Sequence, residues 1–231
     1  MLDRSIFLKG IFQGLKNDAN TPNLLIMDKD SKKTKPTDAG KSANGVTSGY
    51  LDQQMLIAMP NMVDGNFAGS VTLLCQHNEQ GAIGITINRL SDFSLGEIMS
   101  QLQIDCIDEE IRLLPVLEGG PVAPDRGFVL HTPRDGYESS LQVNGDIMVT
   151  TSRDVLAEIA VGQGPEKFVV ALGYAGWGEG QLEGEMKQNA WLSVAADSDI
   201  VFDMPLPNRF DQALERLGIK VDRLHMQGGH A

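Results

Sequence analysis

The sequence predicts an α+β protein built on a mixed, mainly antiparallel sheet with about four flanking helices. Short apolar runs of strand composition recur at irregular intervals after Tyr50, and two of them stand close enough to form a hairpin. Four segments show helical periodicity, but they do not alternate regularly with the strands as in a parallel α/β fold. With 231 residues, 42% of them hydrophobic, the chain can bury the core of one domain.

The first part of the body predicts a strand, a hairpin and a helix. "MLIAMP" has the composition of a buried strand, and "GSVTLLCQHNEQGAIGITINR" that of two strands joined at "NEQG". "SLGEIMSQL" predicts a helix, because Ser94 and Glu97 have the spacing at which each side chain binds a free backbone donor of the first turn. "PVLEGGPV" then predicts an extended segment that enters a glycine turn.

The middle of the chain predicts two strands and a second helix. "GFVLHTP" and "DIMVTT" are the strands, and the second of them leads into the helix "SRDVLAEIAVG". Thr151 or Ser152 is expected to cap this helix, Asp154 suits its positive end, and Gly162 ends it.

The last part predicts three strands and two helices. "KFVVALGYA" is the clearest buried strand, and glycines and a helix over about residues 179–189 follow it. "WLSVAA" and "DIVFDM" predict two further short strands. "NRFDQALERLG" predicts a closing helix that ends at Gly218. Its apolar stripe consists of Phe210, Ala213, Leu214 and Leu217.

Composition separates a leader from this body. Lys, Asp, Ser, Thr and Gly dominate residues 17–49, so we expect residues 1–49 to be a disordered or weakly ordered N-terminal extension. Helically spaced apolar residues between 7 and 15, with basic neighbours, leave open a helix that binds a partner or a membrane surface. Residues 50–231 are expected to form a single domain.

Charge argues against broad nucleic-acid binding. Residues 1–49 hold eight Lys and Arg against five Asp, which gives +3. Residues 50–231 hold eleven Lys and Arg against twenty-six Asp and Glu, which gives −15. An acidic body repels phosphate backbones, so no nucleic-acid partner is favoured.

Other features indicate a cytoplasmic protein. Cys75 and Cys106 form neither a disulfide framework nor a paired-cysteine motif, and the apolar "VTLLCQH" predicts a buried free thiol at Cys75. No secretory signal is visible, and no run approaches the roughly 20 apolar residues of a transmembrane segment.

The segment "GYAGWGEGQLEGEMKQNAW" allows three interpretations: a phosphate loop, an acidic active site or a tight turn. Its glycines have neither the dinucleotide nor the Walker spacing, and its glutamates would repel a phosphate. Glu179 and Glu183 could form a carboxylate pair, but Lys187 continues the same helical face and favours a solvated charge ladder. A tight turn between strand and helix is therefore favoured. Trp177 would then pack on the helix or offer a surface on which a ligand stacks.

Several landmarks occur together and in order: "MLIAMP", "CQHNEQGAIGITINR", "LEGGPV", "RGFVLHTP", "TTSRDVL", "ALGYAGWGEGQLEGE", "NAWL" and the closing "GGHA". By these motifs the chain resembles the AlgH/YqgE family of bacterial proteins over about residues 51–231. It departs from the family pattern at "INRL", where proline often follows the basic residue.

The resemblance implies a compact α+β fold in which a bifurcated sheet curls into a pseudo-barrel, and it implies a cytosolic location. One family name comes from a link to the regulation of alginate biosynthesis. That link implies neither a reaction nor DNA binding. The family has no agreed catalytic residues that can be assigned to positions of this chain.

Few residues of the chain suggest catalysis. The four histidines, His77, His131, His225 and His230, lack the spacing of metal ligands, so no metal or other cofactor is expected. No nucleophile elbow occurs, and the apolar setting of Cys75 raises the pKa of its thiol rather than activating it.

Three functions remain open. The favoured one is a non-enzymatic regulatory or adaptor module that binds a protein or a small ligand. The second is an enzyme with a shallow polar site near His77, His131 and Glu183. The third, a transcriptional regulator acting on DNA, is disfavoured by the acidic charge. The candidate ligand-binding residues are His77, Asn78, His131, Gly176, Trp177, Gly178 and Glu183.

Overall fold

The computed structural model describes residues 50–219. The predictions for residues 1–49, for His225 and His230 and for the closing "GGHA" fall outside the described residues. Within residues 50–219, strands and short helices follow one another in an irregular order, as the sequence predicts.

The strands are β1 (Gln54–Ala58), β2 (Val71–Asn78), β3 (Gly81–Thr86), β4 (Leu90–Ser94), β5 (Pro115–Glu118), β6 (Val122–His131), β7 (Ser140–Gln142), β8 (Met148–Thr150), β9 (Phe168–Trp177) and β10 (Trp191–Ala195). The α-helices are α1 (Leu95–Gln101), α2 (Glu109–Arg112), α3 (Asp154–Ala160), α4 (Gln181–Lys187) and α5 (Arg209–Arg216). A π-helix (Asp199–Asp203) and a 3-10 helix (Leu206–Asn208) precede α5.

The sheet divides at β9. Its main path runs β10-β1-β2-β3-β9-β6-β8-β7, and β4 and β5 join it from the side. The end of β9 near Trp177 pairs with β3, whereas residues 168–172 pair with β6 and residues 170–172 with β5. Every pairing is antiparallel except that of β5 with β9. The sheet curls into a half-barrel, which confirms the predicted fold class.

Three glycines make the division possible. Gly119 and Gly120 follow β5, and Gly173 lies in β9 with φ +72°. A Cβ at Gly119 would overlap the carbonyl oxygen of Gly173, and one at Gly173 would overlap the carbonyl oxygen of Gly120. The two backbones therefore touch without side chains between them. Hydrogen bonds of 2.7 Å from Gly119 N to Leu172 O and of 2.8 Å from Thr86 N to Gly119 O join β9 and β3 across this point.

The core has three parts that follow from this geometry. The largest fills the inside of the curl with apolar side chains of β1, β2, β3, β6 and β9. The second lies between the residues 168–172 half of β9 and helices α1 and α3. The third surrounds Trp177 and Trp191 beside α4.

Several local predictions are confirmed. The hairpin of β2 and β3 turns at Glu79–Gln80, with Asn78 paired to Gly81. Ser94 caps α1, and both hydrogen bonds of its capping box with Glu97 are present. Gly162 follows α3 with φ +71°, as expected for a residue that ends a helix.

Other predictions are wrong. "DIVFDM" forms a π-helix rather than a strand, because the Asp197 carboxylate accepts the N–H of Asp199 and thereby turns the chain. Neither Thr151 nor Ser152 caps α3; Arg153 is at the N-cap, and the Ser152 hydroxyl donates to Asp154 Oδ1 instead. The short elements β4, α2 and β7 have no counterpart in the prediction, since each lacks a clear apolar period.

We expect Gly120→Ala to lower the free energy of unfolding by about 2–4 kcal/mol. The residue has φ +151°, and a Cβ there would overlap the backbone of Tyr174 and Ala175, which cannot move independently of β9. Gly145→Ala is the matched control, because no atom lies within 4 Å of the added Cβ. Urea unfolding of both variants measures the difference, and equal losses would contradict the close crossing of the two backbones.

Candidate functional site

A buried histidine and a glutamate join β2 to α4. His77 lies near the end of β2 and is 3% exposed. Its Nε2 lies 3.1 Å from Oε1 of Glu183, whose side chain is 35% exposed. The Tyr50 ring stands edge-on to the imidazole, with centroids 5.2 Å apart. Two of the predicted site residues are thus brought together, and Glu183 is not part of a solvated charge ladder.

The hydrogen bonds define the donor and acceptor roles of the two His77 ring nitrogens. The backbone N–H of Leu51 donates to Nδ1 over 2.8 Å, so Nδ1 carries no proton. Nε2 then carries the proton and donates it to the Glu183 carboxylate. Because both ring nitrogens are occupied, His77 has no free basic nitrogen with which to accept a proton from a substrate.

Trp177 is held by a second carboxylate, which the sequence interpretation missed. Oε2 of Glu185 accepts the indole N–H of Trp177 over 2.9 Å and that of Trp191 over 2.8 Å. Its Oε1 accepts from Gln181 over 2.9 Å. The two indoles meet edge to face at 5.9 Å, and Phe67 packs on both. Trp177 is 3% exposed, so it packs in the core and offers no surface for stacking a ligand.

The turn after β9 is shorter than the sequence suggests. Gly176 and Trp177 still belong to β9, and the turn comprises only residues 178–180 before α4 begins. Gly176 lies on the opposite face of the strand from Trp177, where the Tyr174 ring lies against it. Gly178 is exposed, and its N–H donates to the Gln181 side chain over 3.0 Å.

The hairpin turn of β2 and β3 lies against this loop. A Cβ at Gly81 would overlap the carbonyl oxygen of Trp177 and come within 3.1 Å of Gly178 C. We call the combined surface of residues 78–81 and 178–183 the rim. It contains three of the predicted site residues, Asn78, Gly178 and Glu183. Asn78 stabilises its own turn, since its side-chain oxygen accepts the N–H of Gln80 over 2.8 Å.

His131 lies far from the rim, so the predicted shallow site of His77, His131 and Glu183 does not form. His77 pairs with Ala82 of β3, and Ala82 in turn pairs with Trp177 at one end of β9. His131 pairs with Phe168 at the other end of β9. Nine residues at about 3.3 Å each separate the two positions by roughly 30 Å along the strand.

His131 is fully buried and engaged on both nitrogens. Nδ1 donates to the carbonyl oxygen of Thr132 over 2.8 Å, and Nε2 accepts from the Thr150 hydroxyl over 2.7 Å. Burial lowers the pKa of His131, and the nearby Arg134 guanidinium lowers it further, although the Thr132 carbonyl acts in the opposite direction. His131 is therefore a neutral structural residue at pH 7.

The described part of the chain contains two free thiols and no metal cluster. Cys75 is half-buried rather than fully buried, and the burial of its thiol raises the thiol pKa to about 12. Cys75 and Cys106 are both free thiols. Between residues 50 and 219, no three His, Cys, Asp or Glu side chains are grouped as metal ligands, and no helix is long and apolar enough to cross a membrane.

Comparison with known proteins identifies the family. The sequence model described as AlgH-like matches residues 55–222. The chain belongs to the AlgH-like family. A UPF0301 protein of Xanthomonas campestris is 48% identical over 181 residues, which are 78% of this chain and 96% of the relative. A UPF0301 protein of Bordetella petrii is 48% identical over 195 residues, which are 84% of this chain and 96% of the relative.

Solved structures agree with this assignment. The solution structure of AlgH from Pseudomonas aeruginosa is 47% identical and superimposes with a TM-score of 0.68 over 82% of this chain and 100% of its own. A crystal structure of a Corynebacterium diphtheriae protein has a TM-score of 0.61 at 17% identity, covering 78% of this chain and 92% of its own, and supports the fold alone. The resemblance inferred from the motifs is thereby confirmed.

In this AlgH-like chain, Trp177→Ala should lower the free energy of unfolding by about 3–5 kcal/mol, because it empties a buried indole site. Trp177→Phe should cost less, since a smaller ring still fills most of the site, although some packing and the hydrogen bond to Glu185 are lost. Thermal and urea unfolding measure both. A loss below about 1 kcal/mol for the alanine variant would mean that the indole is not part of the core.

We also expect His131 to make the fold sensitive to acid. Because burial holds the pKa of His131 below its ordinary value, the unfolded chain binds a proton near pH 6.5 that the folded protein does not. Between the folded pKa and about 6.5 the unfolded state holds more protons, so stability falls as the pH falls through that window. His131→Gln should flatten this slope. An unchanged slope in His131→Gln would contradict the prediction.

Proposed function

We propose that this protein is a non-catalytic binding module of the regulatory or adaptor kind, which acts in the cytoplasm and recognises a protein or small ligand. The observation that carries the proposal is the engagement of both imidazole nitrogens of His77, by Leu51 N–H and by Glu183. A histidine held in this way orients neighbouring groups but has no free nitrogen for acid-base catalysis.

The rim is the surface that suits recognition. It stands on rigid supports, because the His77–Glu183 pair holds α4 to β2 and Glu185 holds α4 to β9 and β10. Its outer side chains are exposed, and Glu79 and Glu179 are in none of the ion pairs of residues 50–219. Exposed loops on a rigid scaffold commonly carry binding residues.

Charge favours a cationic partner. Glu79, Glu179 and Glu183 belong to the rim, and residues 78–81 and 178–183 contain no Lys or Arg. Acidic surfaces steer basic segments of partner proteins or cationic small molecules and repel nucleic acid. The two free thiols suit a reducing cytoplasm. These features support a cytoplasmic binding role better than one on DNA.

The test uses an oligolysine peptide as a cationic probe of the full chain, followed by heteronuclear NMR. We expect the amides of the rim to shift, and Glu79→Lys with Glu179→Lys to weaken binding about fivefold or more. Glu138→Lys with Glu166→Lys is the matched control, because both of these glutamates are exposed and lie outside the rim. This control should bind the peptide as the wild type does.

Three outcomes would contradict the proposal. Equal weakening in both double variants would mean that the net charge of the protein, rather than the rim, determines peptide binding. Salt-sensitive binding of duplex DNA at physiological ionic strength would favour the DNA-acting alternative. Hydrolysis of a p-nitrophenyl ester that is lost in His77→Gln would favour the enzyme.

A further inference from the structure

Arg209 is a buried cation at the start of α5, on the other side of the fold from the indole cluster. It is 4% exposed. Its Nε donates to the carbonyl oxygen of Met204 over 3.0 Å, and its Nη1 donates to that of Ile87. A guanidinium has five N–H groups, so three of them take no acceptor among residues 50–219.

The charge of Arg209 has no anionic partner in the described part of the chain. None of the ion pairs between residues 50 and 219 includes it. Burial alone lowers the pKa of Arg209 to about 10, so the side chain is still a cation at neutral pH. Burying a cation is costly unless an anion or a full set of acceptors compensates for its lost hydration, and two carbonyl groups do so only in part. Within residues 50–219, no nitrogen of Arg209 is a fully buried atom without a partner, so its remaining N–H groups reach accessible space.

Arg209 lines a cavity of about 140 Å³. The cavity lies between the β5–β9 pair, the start of α1 and the 3-10 helix. The other side chains that line it are all apolar, and they include Leu95, Leu117, Phe168, Val170 and Leu206. A single cation therefore faces a hydrocarbon-lined space that is partly open to solvent, because Phe168 and Leu206 are only half-buried.

We propose that this cavity binds a small hydrophobic monocarboxylate, with the carboxylate on Arg209 and the apolar body against Leu117 and Val170. Arginine binds planar carboxylates through parallel N–H donors, and the free N–H groups of Arg209 can do the same. The apolar lining suits the rest of such a molecule and offers no further donors for a dianion such as phosphate. This inference goes beyond the proposed function, because it assigns a second site, for an anion, away from the rim.

The size of the cavity limits the ligand. A cavity of roughly 150 Å³ in another protein holds benzene, so a ligand body of about six carbon atoms fits here. Longer carboxylates would have to extend past Phe168 and Leu206 toward solvent. Benzoate is therefore a suitable probe, and benzyl alcohol is a neutral molecule of similar shape.

The experiment is a titration of the full chain with benzoate, followed by the backbone amides of Phe168, Val170 and Leu206 in heteronuclear NMR spectra. We expect these amides to shift together, with a dissociation constant in about the millimolar range or tighter. Benzyl alcohol should bind about tenfold more weakly, because it forms no charge-assisted hydrogen bond with Arg209.

Two variants and a control test the residues separately. Arg209→Gln should abolish benzoate binding, and Arg112→Gln, which removes an exposed arginine, should not. Because Arg209→Gln also alters two backbone contacts, Leu206→Trp provides a second test: it fills the cavity from its half-buried edge and leaves Arg209 in place. It should abolish binding while the melting temperature stays near that of the wild type.

The outcomes separate this inference from the proposed function. Absence of the expected shifts in the wild type, or equal binding of benzoate and benzyl alcohol, would overturn the inference while the rim remained a binding surface. Binding that survives Leu206→Trp would place the carboxylate elsewhere and overturn it as well. Chemical conversion of a bound carboxylate, seen in the NMR spectrum of the ligand, would instead overturn the non-catalytic proposal.

Discussion

The close contact between the backbone after β5 and the middle of β9 is the constraint on which the rest of the fold depends. Gly119, Gly120 and Gly173 touch there through main-chain atoms, so no larger residue fits between them. The contact lets one strand serve two halves of a sheet, since β9 pairs with β5 before Gly173, with β3 beyond it, and with β6 on both sides of it. Without it, the sheet would have two separate edges rather than a continuous curl.

This division also separates the surfaces of the molecule. The rim lies beyond the Trp177 end of β9, whereas the cavity beside Arg209 is lined by Phe168 and Val170 near the other end. Each surface thus rests on the same rigid strand but on different neighbours: β2, β3 and α4 at one end, β5 and α5 at the other. A change at one surface can reach the other through β9, and also through β3, because Arg209 donates to the carbonyl oxygen of Ile87 just after that strand.

Much of the fold could be predicted from the sequence because its signals are local. The hairpin at "NEQG" and the capping box of Ser94 and Glu97 depend on residues a few positions apart. "DIVFDM" was misread because an Asp197 side chain, rather than apolar composition, decides its conformation. For the candidate site, the structure brings His77 and Glu183 together, as the prediction grouped them. His131 was grouped with them as well, because the strand register that sets it apart depends on distant pairings. The role of Glu185 could have been predicted from one signal in the sequence. Two tryptophans flank it, and a buried indole N–H needs a hydrogen-bond acceptor.

The buried polar groups of the fold fall into two kinds, and the difference bears on function. Glu185 accepts from Trp177, Trp191 and Gln181, and both nitrogens of His77 are bonded. Such groups are satisfied by the chain itself and hold its parts together. Arg209 differs, since its helical position four residues before Ala213 places it on the apolar face of α5, and most of its N–H groups have no acceptor within residues 50–219. A methionine could fill that space at lower cost in desolvation. A buried cation beside an apolar cavity therefore suits the anionic ligand proposed above more than it suits packing alone.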